Sequence, residues 1–296
     1  MTDATLYTAA DESGRTVRDD DGAVEAFFDA VFRPSNWGAR LAYSVGLQGR
    51  LRASTLSLDV SPDATATRRP LRVAFASDFH AGGLTDDRLL ERACQALADL
   101  EPDVLLLGGD FVSVRASDIR RIAPLIAAIP APLGKFGVLG NHDLRAGTRR
   151  IVPALERAGV RLIANQHVGL SGPFGQISIC GLDDSTRGAP RGDLALDRAH
   201  DRRIVLMHSP EGLEAIGDRH FDLALCGHTH GGQIALPWGT PILMPGGPLN
   251  RRYSRGRHAI GGNARPRALL VSRGVGCSGL PVRLFAAPEV HLCLIT

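Results

Sequence analysis

The chain has 296 residues, with 34 basic side chains against 31 acidic ones and a formal net charge of +3, and 44% of it is hydrophobic. Such proportions supply a sizeable core and exclude a disordered, collagen-like or mini-scaffold chain. Lys135 is the sole lysine, and the small positive balance is not the concentrated patch of a nucleic-acid binder, so no nucleic acid is expected as a stable partner. Cys94, Cys180, Cys226, Cys277 and Cys293 are odd in number and form no C-x-x-C pair. They read as buried thiols in a reducing compartment, not as a disulfide framework or a zinc ribbon.

In chain order, residues 1–22 read as a disordered tail without the apolar core of a secretory signal. Residues 23–32 form an amphipathic stretch far shorter than the ~20 residues a membrane-spanning helix needs. A surface helix is the plain reading, and peripheral contact with the inner membrane stays open beside a cytoplasmic location. Residues 24–50 look helical and 53–60 look like a strand, giving an N-terminal piece over 23–70 that packs on one large domain over 71–296. From Leu71 onward LRVAFAS, DVLLLGG, KFGVLG, RRIVLM and FDLALCG are short apolar runs of the kind that form strands covered on both faces. Thr85-Asp86 opens a helix with Leu89, Leu90, Ala93 and Leu97 at helical spacing, and residues 116–129 and 149–158 read as two more. This alternation predicts an α/β layered fold. Three late runs, ALLVSRG, VRLFA and EVHLCLI, suit a second sheet with antiparallel pairing.

Each of the five central runs is followed by a residue that can ligate a metal: Asp78 and His80, Asp110, Asn141, His208, then His228 and His230. Ligands in open α/β sheets gather at the carboxyl ends of the strands, so these side chains are expected to converge. Asp, Asn and His are donors for divalent ions such as Mn, Fe or Zn. In Asp78-x-His80 and His228-x-His230, residues two apart would face the same way along extended chain. Seven donors exceed the needs of one ion and suffice for two. His167, His200, His220, His258 and His291 stand in no such context and read as structural or surface residues, and Cys226 reads as core.

In this order, D-x-H-x-G (78–82), G-D (109–110), G-N-H-D (140–143), His208 and G-H-T-H (227–230) resemble the calcineurin-like metallophosphoesterase superfamily. G-G-Q (231–233) and S-R-G-x-G-x-S-G-x-P-x-R (272–283) are similar to a bacterial branch of it. The resemblance implies a four-layer α-β-β-α sandwich, two mixed sheets flanked by helices, with the active site at the strand carboxyl ends. It implies a dinuclear phosphoesterase acting on phosphate mono- or diesters through a metal-bridging hydroxide. Asp78, His80 and His230 would serve one ion, Asn141, His208 and His228 the other, and Asp110 both. His142 would be the acid or a phosphate contact, Asp143 its orienting partner, and Arg145 and Arg252 contacts to substrate. Two alternatives accompany this reading: a peripheral membrane pyrophosphatase acting on a UDP-linked glycolipid, and a non-catalytic scaffold of the same fold. One departure is visible, because Ser113 stands where many relatives carry a second Asp, removing a carboxylate beside the ligands. Oligomeric state is not legible in the sequence.

Overall fold

The computed structural model describes residues 20–58, 69–261 and 267–296, so the expected tail over residues 1–19 lies outside it. Helix α1 (Asp20–Phe32) starts within the stretch expected to be tail. The helix expected over 24–50 is broken at the 3-10 turn Pro34–Asn36, where Ser35 and Asn36 adopt φ of 53° and 49°. Helix α2 (Trp37–Ser44) follows, and then strand β1 (Arg52–Leu58). The N-terminal piece is fastened by charge. Arg33 bridges buried Asp29 and Asp118 at 2.9 and 2.8 Å, and Asp29 Oδ1 accepts from the Gly83 N–H at 3.1 Å.

Two six-stranded mixed sheets form the centre. The first runs β1, β12 (Glu289–Ile295), β2 (Leu71–Ala76), β3 (Val104–Leu107), β4 (Lys135–Gly137), β5 (Val160–Leu162). The second runs β10 (Gly256–Ile260), β11 (Arg267–Val271), β9 (Leu223–Cys226), β8 (Arg202–Leu206), β7 (Ile177–Gly181), β6 (Gln166–Gly169). Two late segments depart from expectation. EVHLCLI is β12 and lies in the first sheet, parallel to β1 and antiparallel to β2. VRLFA forms no strand, making only isolated bridges to Ile234, because prolines flank it and Phe285 turns to φ 56°.

Alternation along the strands builds the layers. Leu71, Val73 and Phe75 of β2 pack between the sheets with Ile179, Leu206 and Leu225 of the second. Ala74 and Ala76 face the opposite way, onto α3 (Asp87–Asp99), α4 (Ile119–Ala127) and, beyond the short α5 (Asn141–Ala146), α6 (Thr148–Arg157). Asp86 caps α3 by accepting from the Arg88 N–H at 3.0 Å. Beyond the second sheet, α7 (Gly192–Leu196) and α8 (Leu213–Ile216) cover a third cluster that includes Cys226. The order is therefore helix, sheet, sheet, helix.

Candidate metal centre

The donors collect where the carboxyl ends of the two sheets meet, three strands of the first (β2, β3, β4) and two of the second (β8, β9) feeding one place. Extended alternation is not what aims them. Asp78, His80, Asp110, His228 and His230 lie beyond their strands with φ of 54°, 44°, 54°, 68° and 52°. A left-handed bend at each turns the side chain inward, at a cost of about 1–3 kcal/mol per residue. Gly140 and Gly227 complete the cradle. A methyl group at Gly140 would collide with the Asp110 carboxylate and the His208 ring, and one at Gly227 with the Asp78 carboxylate.

Two overlapping clusters result. In one, His80 Nε2 and His230 Nε2 are 3.0 Å apart, and Asp78 Oδ1 is 3.7 Å from His230 Nε2. In the other, His208 Nε2 lies 3.0 Å from Asn141 Oδ1 and 3.1 Å from His228 Nδ1. Asp110 joins them, its Oδ2 being 3.5 Å from His80 Nε2 and 3.2 Å from His208 Nε2. The seven donors singled out in the sequence are thus together, and His142 sits beside His80 and Asp110. Other partners hold the rings in place. His208 Nδ1 donates to the Gly108 carbonyl at 2.8 Å, which turns Nε2 toward Asn141 and Asp110. Ser113 Oγ stands 3.3 Å from His80 Nδ1, so a neutral hydroxyl occupies the place of the missing carboxylate. This nitrogen and oxygen donor set, fixed through outer partners, fits divalent cations.

Five other residues refine the picture. The oxygens of Asp143 accept from the Gly140 and Val112 N–H groups, both at 3.1 Å, so this side chain braces two of the loops that carry the donors, and Arg145 lies 2.7 Å from Nδ1 of the His142 ring. Arg252 stands exposed on α9 (Pro248–Arg252) with its guanidinium over the Tyr253 ring. Sequence reasoning missed Asp184 and gave Arg283 no role. Asp184 is buried within electrostatic range of His208 and Asp110, and its Oδ2 has no hydrogen-bond partner. Arg283 is buried and donates to His230 Nδ1 at 2.9 Å as well as to three backbone carbonyls. Because Arg283 can only donate, His230 carries its proton on Nε2 and shares it with His80. The closing arginine of the 272–283 motif was the available signal. The other five histidines lie elsewhere, as His291 against Ser54 Oγ (2.6 Å) and His220 against Asp222 (3.1 Å) illustrate.

Burial and crowding set the charges. Burial, aided by the Asp110 charge, pushes the Asp78 carboxyl up to about 6 and that of Asp143 up to about 7. Asp184 is raised by burial as well. Burial also works against Asp110, but His208, His142 and His80 hold it well below the carboxylate range. His208 is raised well above its usual value, since Asp110 and then Asp78 outweigh its burial. Burial and the neighbouring His208 push His228 down to about 3, and burial with His80 and Arg283 keeps His230 neutral.

Comparison with known proteins agrees with this geometry. The family model described as calcineurin-like phosphoesterase matches residues 71–232. The chain is 32% identical over 228 residues to phosphodiesterase YaeI of Escherichia coli, covering 75% of this chain and 81% of that one. It is 32% identical over 220 residues to the uncharacterized metallophosphoesterase YkuE of Bacillus subtilis, covering 72% and 75%. It is 26% identical over 294 residues to UDP-2,3-diacylglucosamine pyrophosphatase LpxG of Chlamydia trachomatis, covering 82% and 88%.

Proposed function

Because this chain belongs to the calcineurin-like phosphoesterases, hydrolases of phosphate esters, we propose that it cleaves phosphate mono- or diesters with two divalent cations held where its sheets meet. The observation that carries this reading is Asp110, whose Oδ2 stands within 3.5 Å of a donor nitrogen in each cluster. Asp78, His80 and His230 would hold one cation, Asn141, His208 and His228 the other, and Asp110 both. When bound, such a pair activates water at neutral pH and neutralises the phosphoryl oxygens. The residues around it orient the ester and manage protons. His142 Nδ1 is engaged by the Ser113 carbonyl at 2.9 Å and by Arg145, so Nε2 is the nitrogen that protonates the leaving oxygen. Arg145 adds positive charge next to it.

Protein loaded with manganese should bind two ions per chain and hydrolyse p-nitrophenyl phosphate or its bis ester. Two bound ions with neither ester cleaved would overturn the proposal. A second reading, hydrolysis of a UDP-linked glycolipid pyrophosphate, is supported by likeness to LpxG along most of both chains. Release of UMP from such a lipid in a panel that includes simple esters would favour it. A scaffold without chemistry would be expected to have lost donors, whereas all seven converge here. Among the described residues no helix is long and apolar enough to cross a membrane.

A further inference from the structure

A surface beside the metal centre is not accounted for by phosphoester chemistry alone. We propose that the face formed by α2, the loop after it and segments 233–243 and 283–285 docks on an anionic lipid bilayer, presenting the metal centre to a phosphate ester carried in the membrane. The identity of that substrate rests on the proposed function; the docking does not.

The segments are neighbours through their backbones. The Arg283 N–H donates to the Leu47 carbonyl at 2.6 Å, Leu284 N–H to Gln233 O at 2.9 Å, Ala235 N–H to Leu284 O at 2.9 Å, and Ile242 N–H to Ile234 O at 2.9 Å. This ribbon starts three residues after His230, and Arg283 itself touches the His230 ring. Its side chains point outward to an unusual degree. Trp238 is 72% exposed, Leu243 63% and Phe285 61%, and Ile242, Leu284 and Leu47 are exposed beside them. Helix α2 buries Gly38, Ala39 and Ala42 and exposes Trp37 and Leu41, and exposed Val45 just after it continues the stripe at the same four-residue spacing. A stripe of this kind on a short helix, continued by loop tips bearing Trp and Phe, has the composition of an interfacial surface.

Charge selects the occupant. No Asp or Glu occurs between Asp222 and Glu289, a stretch holding eight arginines, nor between Asp29 and Asp59, which holds four. Arg40, Arg50, Arg251 and Arg252 are exposed, and the Arg255 guanidinium lies against Gly239, next to Trp238. The near-neutral total thus conceals two acid-free stretches, and both contribute to this face. Against a second copy of itself this face would set arginine against arginine. Against a nucleic acid the exposed Ile and Leu side chains would find no apolar partner. An anionic bilayer satisfies both halves, with headgroups for the arginines and acyl chains for the apolar tips.

Trp37 and Trp238 are the two tryptophans of the chain, so intrinsic fluorescence reads this face directly. The full chain loaded with manganese is mixed with phosphatidylcholine vesicles with or without one part in three of phosphatidylglycerol. Expected are co-flotation with the anionic vesicles, a blue shift of emission, and reversal by high salt. Trp238→Ser with Phe285→Ser should weaken partitioning at least ~10-fold, with metal content and cleavage of a soluble nitrophenyl ester unchanged. Arg40→Glu with Arg50→Glu, at exposed positions, should weaken it in the same direction. No flotation and an unshifted emission would overturn the proposal, as would equal binding to pure phosphatidylcholine. A concentration-dependent dimer, or nucleic-acid binding, that shifts the emission where vesicles do not would also overturn it. Vesicle binding without hydrolysis of any ester keeps the docking and removes the phosphoesterase reading; hydrolysis without vesicle binding does the reverse.

Discussion

Replacing His142 by alanine separates proton transfer from metal binding, because the structure ties His142 to the metal centre through its backbone. The His142 N–H donates to Asp110 Oδ1 at 2.9 Å, a contact alanine keeps. The brace from Asp143 to Gly140 and Val112 is likewise untouched. What disappears is an imidazole packed edge-on to His80, with ring centroids 4.7 Å apart. Ser113 O can only accept and Arg145 can only donate, so Nδ1 serves one at a time. The ring is thereby stabilised with its proton directed to Ser113, or with Nδ1 bare toward Arg145 and the proton on Nε2. A positioned general acid contributes roughly 10²- to 10⁴-fold, equivalent to about 3–5 kcal/mol of activation free energy. That contribution matters for an alkoxide leaving group and little for nitrophenolate, which departs unprotonated. His142→Ala should therefore lower kcat on an alkyl phosphate ester by about 10³-fold and on the nitrophenyl ester by about 10-fold or less. Steady-state kinetics on the two esters, with metal content measured on the same samples, tests this. An equal loss on both esters at unchanged metal content would refute the acid role and point to phosphate binding, and loss of metal would refute the backbone argument.

Asp110→Asn should leave at most one ion per chain by elemental analysis and lower turnover by at least ~10³-fold, since a neutral amide cannot balance two cations; full metal occupancy would remove Asp110 from the shared position. Metal affinity should rise steadily with pH between about 5.5 and 8, because uptake displaces protons from Asp78 and from the raised His208. Isothermal titration in buffers of different ionisation enthalpy reads the released protons, and a flat profile would refute this assignment. Asp29→Ala strips Arg33 of two hydrogen bonds at 2.9 Å and leaves the Gly83 N–H unpaired. It should cost roughly 2–3 kcal/mol of stability, read from the urea midpoint of the metal-loaded protein.

The layered fold and the convergence of the candidate donors were legible because both leave local marks. Continuous apolar runs specify strands covered on both faces, and Asp, Asn and His at their ends are chemically conspicuous. The reason for the D-x-H and H-x-H spacing was not legible, since alternation describes extended chain and the structure bends left-handed at each ligand. Only coordinates reveal a positive φ at Asp78 or His228. The place of β12 was hidden for a related reason: EVHLCLI is as apolar as any central strand, and nothing local says it inserts between β1 and β2. Arg283 and Asp184 were obscured by distance along the chain, their importance arising from contacts with His230 and from proximity to His208 and Asp110. The amphipathic stretch over 23–32 is a helix, but nothing local in it says that Asp29 is buried on Arg33.

The energetic features of the metal centre share one explanation. Asp78, Asp110, Asp143 and Asp184 are all buried close together, and five of the candidate donors hold left-handed backbone. For Asp78 and Asp143 the folded-state pKa values, about 6 and about 7, lie above the ordinary carboxylate value. Groups shifted in that direction contribute stability below the unfolded pKa and lose it as pH rises through the folded one. At pH 8 the metal-free chain therefore carries ionised, desolvated carboxylates that charged His208 and Arg283 offset only in part. A divalent cation reverses the sign of that repulsion and gives the bent loops a common centre to converge on. Thermal stabilisation by manganese should accordingly be larger at pH 8 than at pH 5.5. A structural polar cluster, satisfied by its own hydrogen bonds, would show no such dependence.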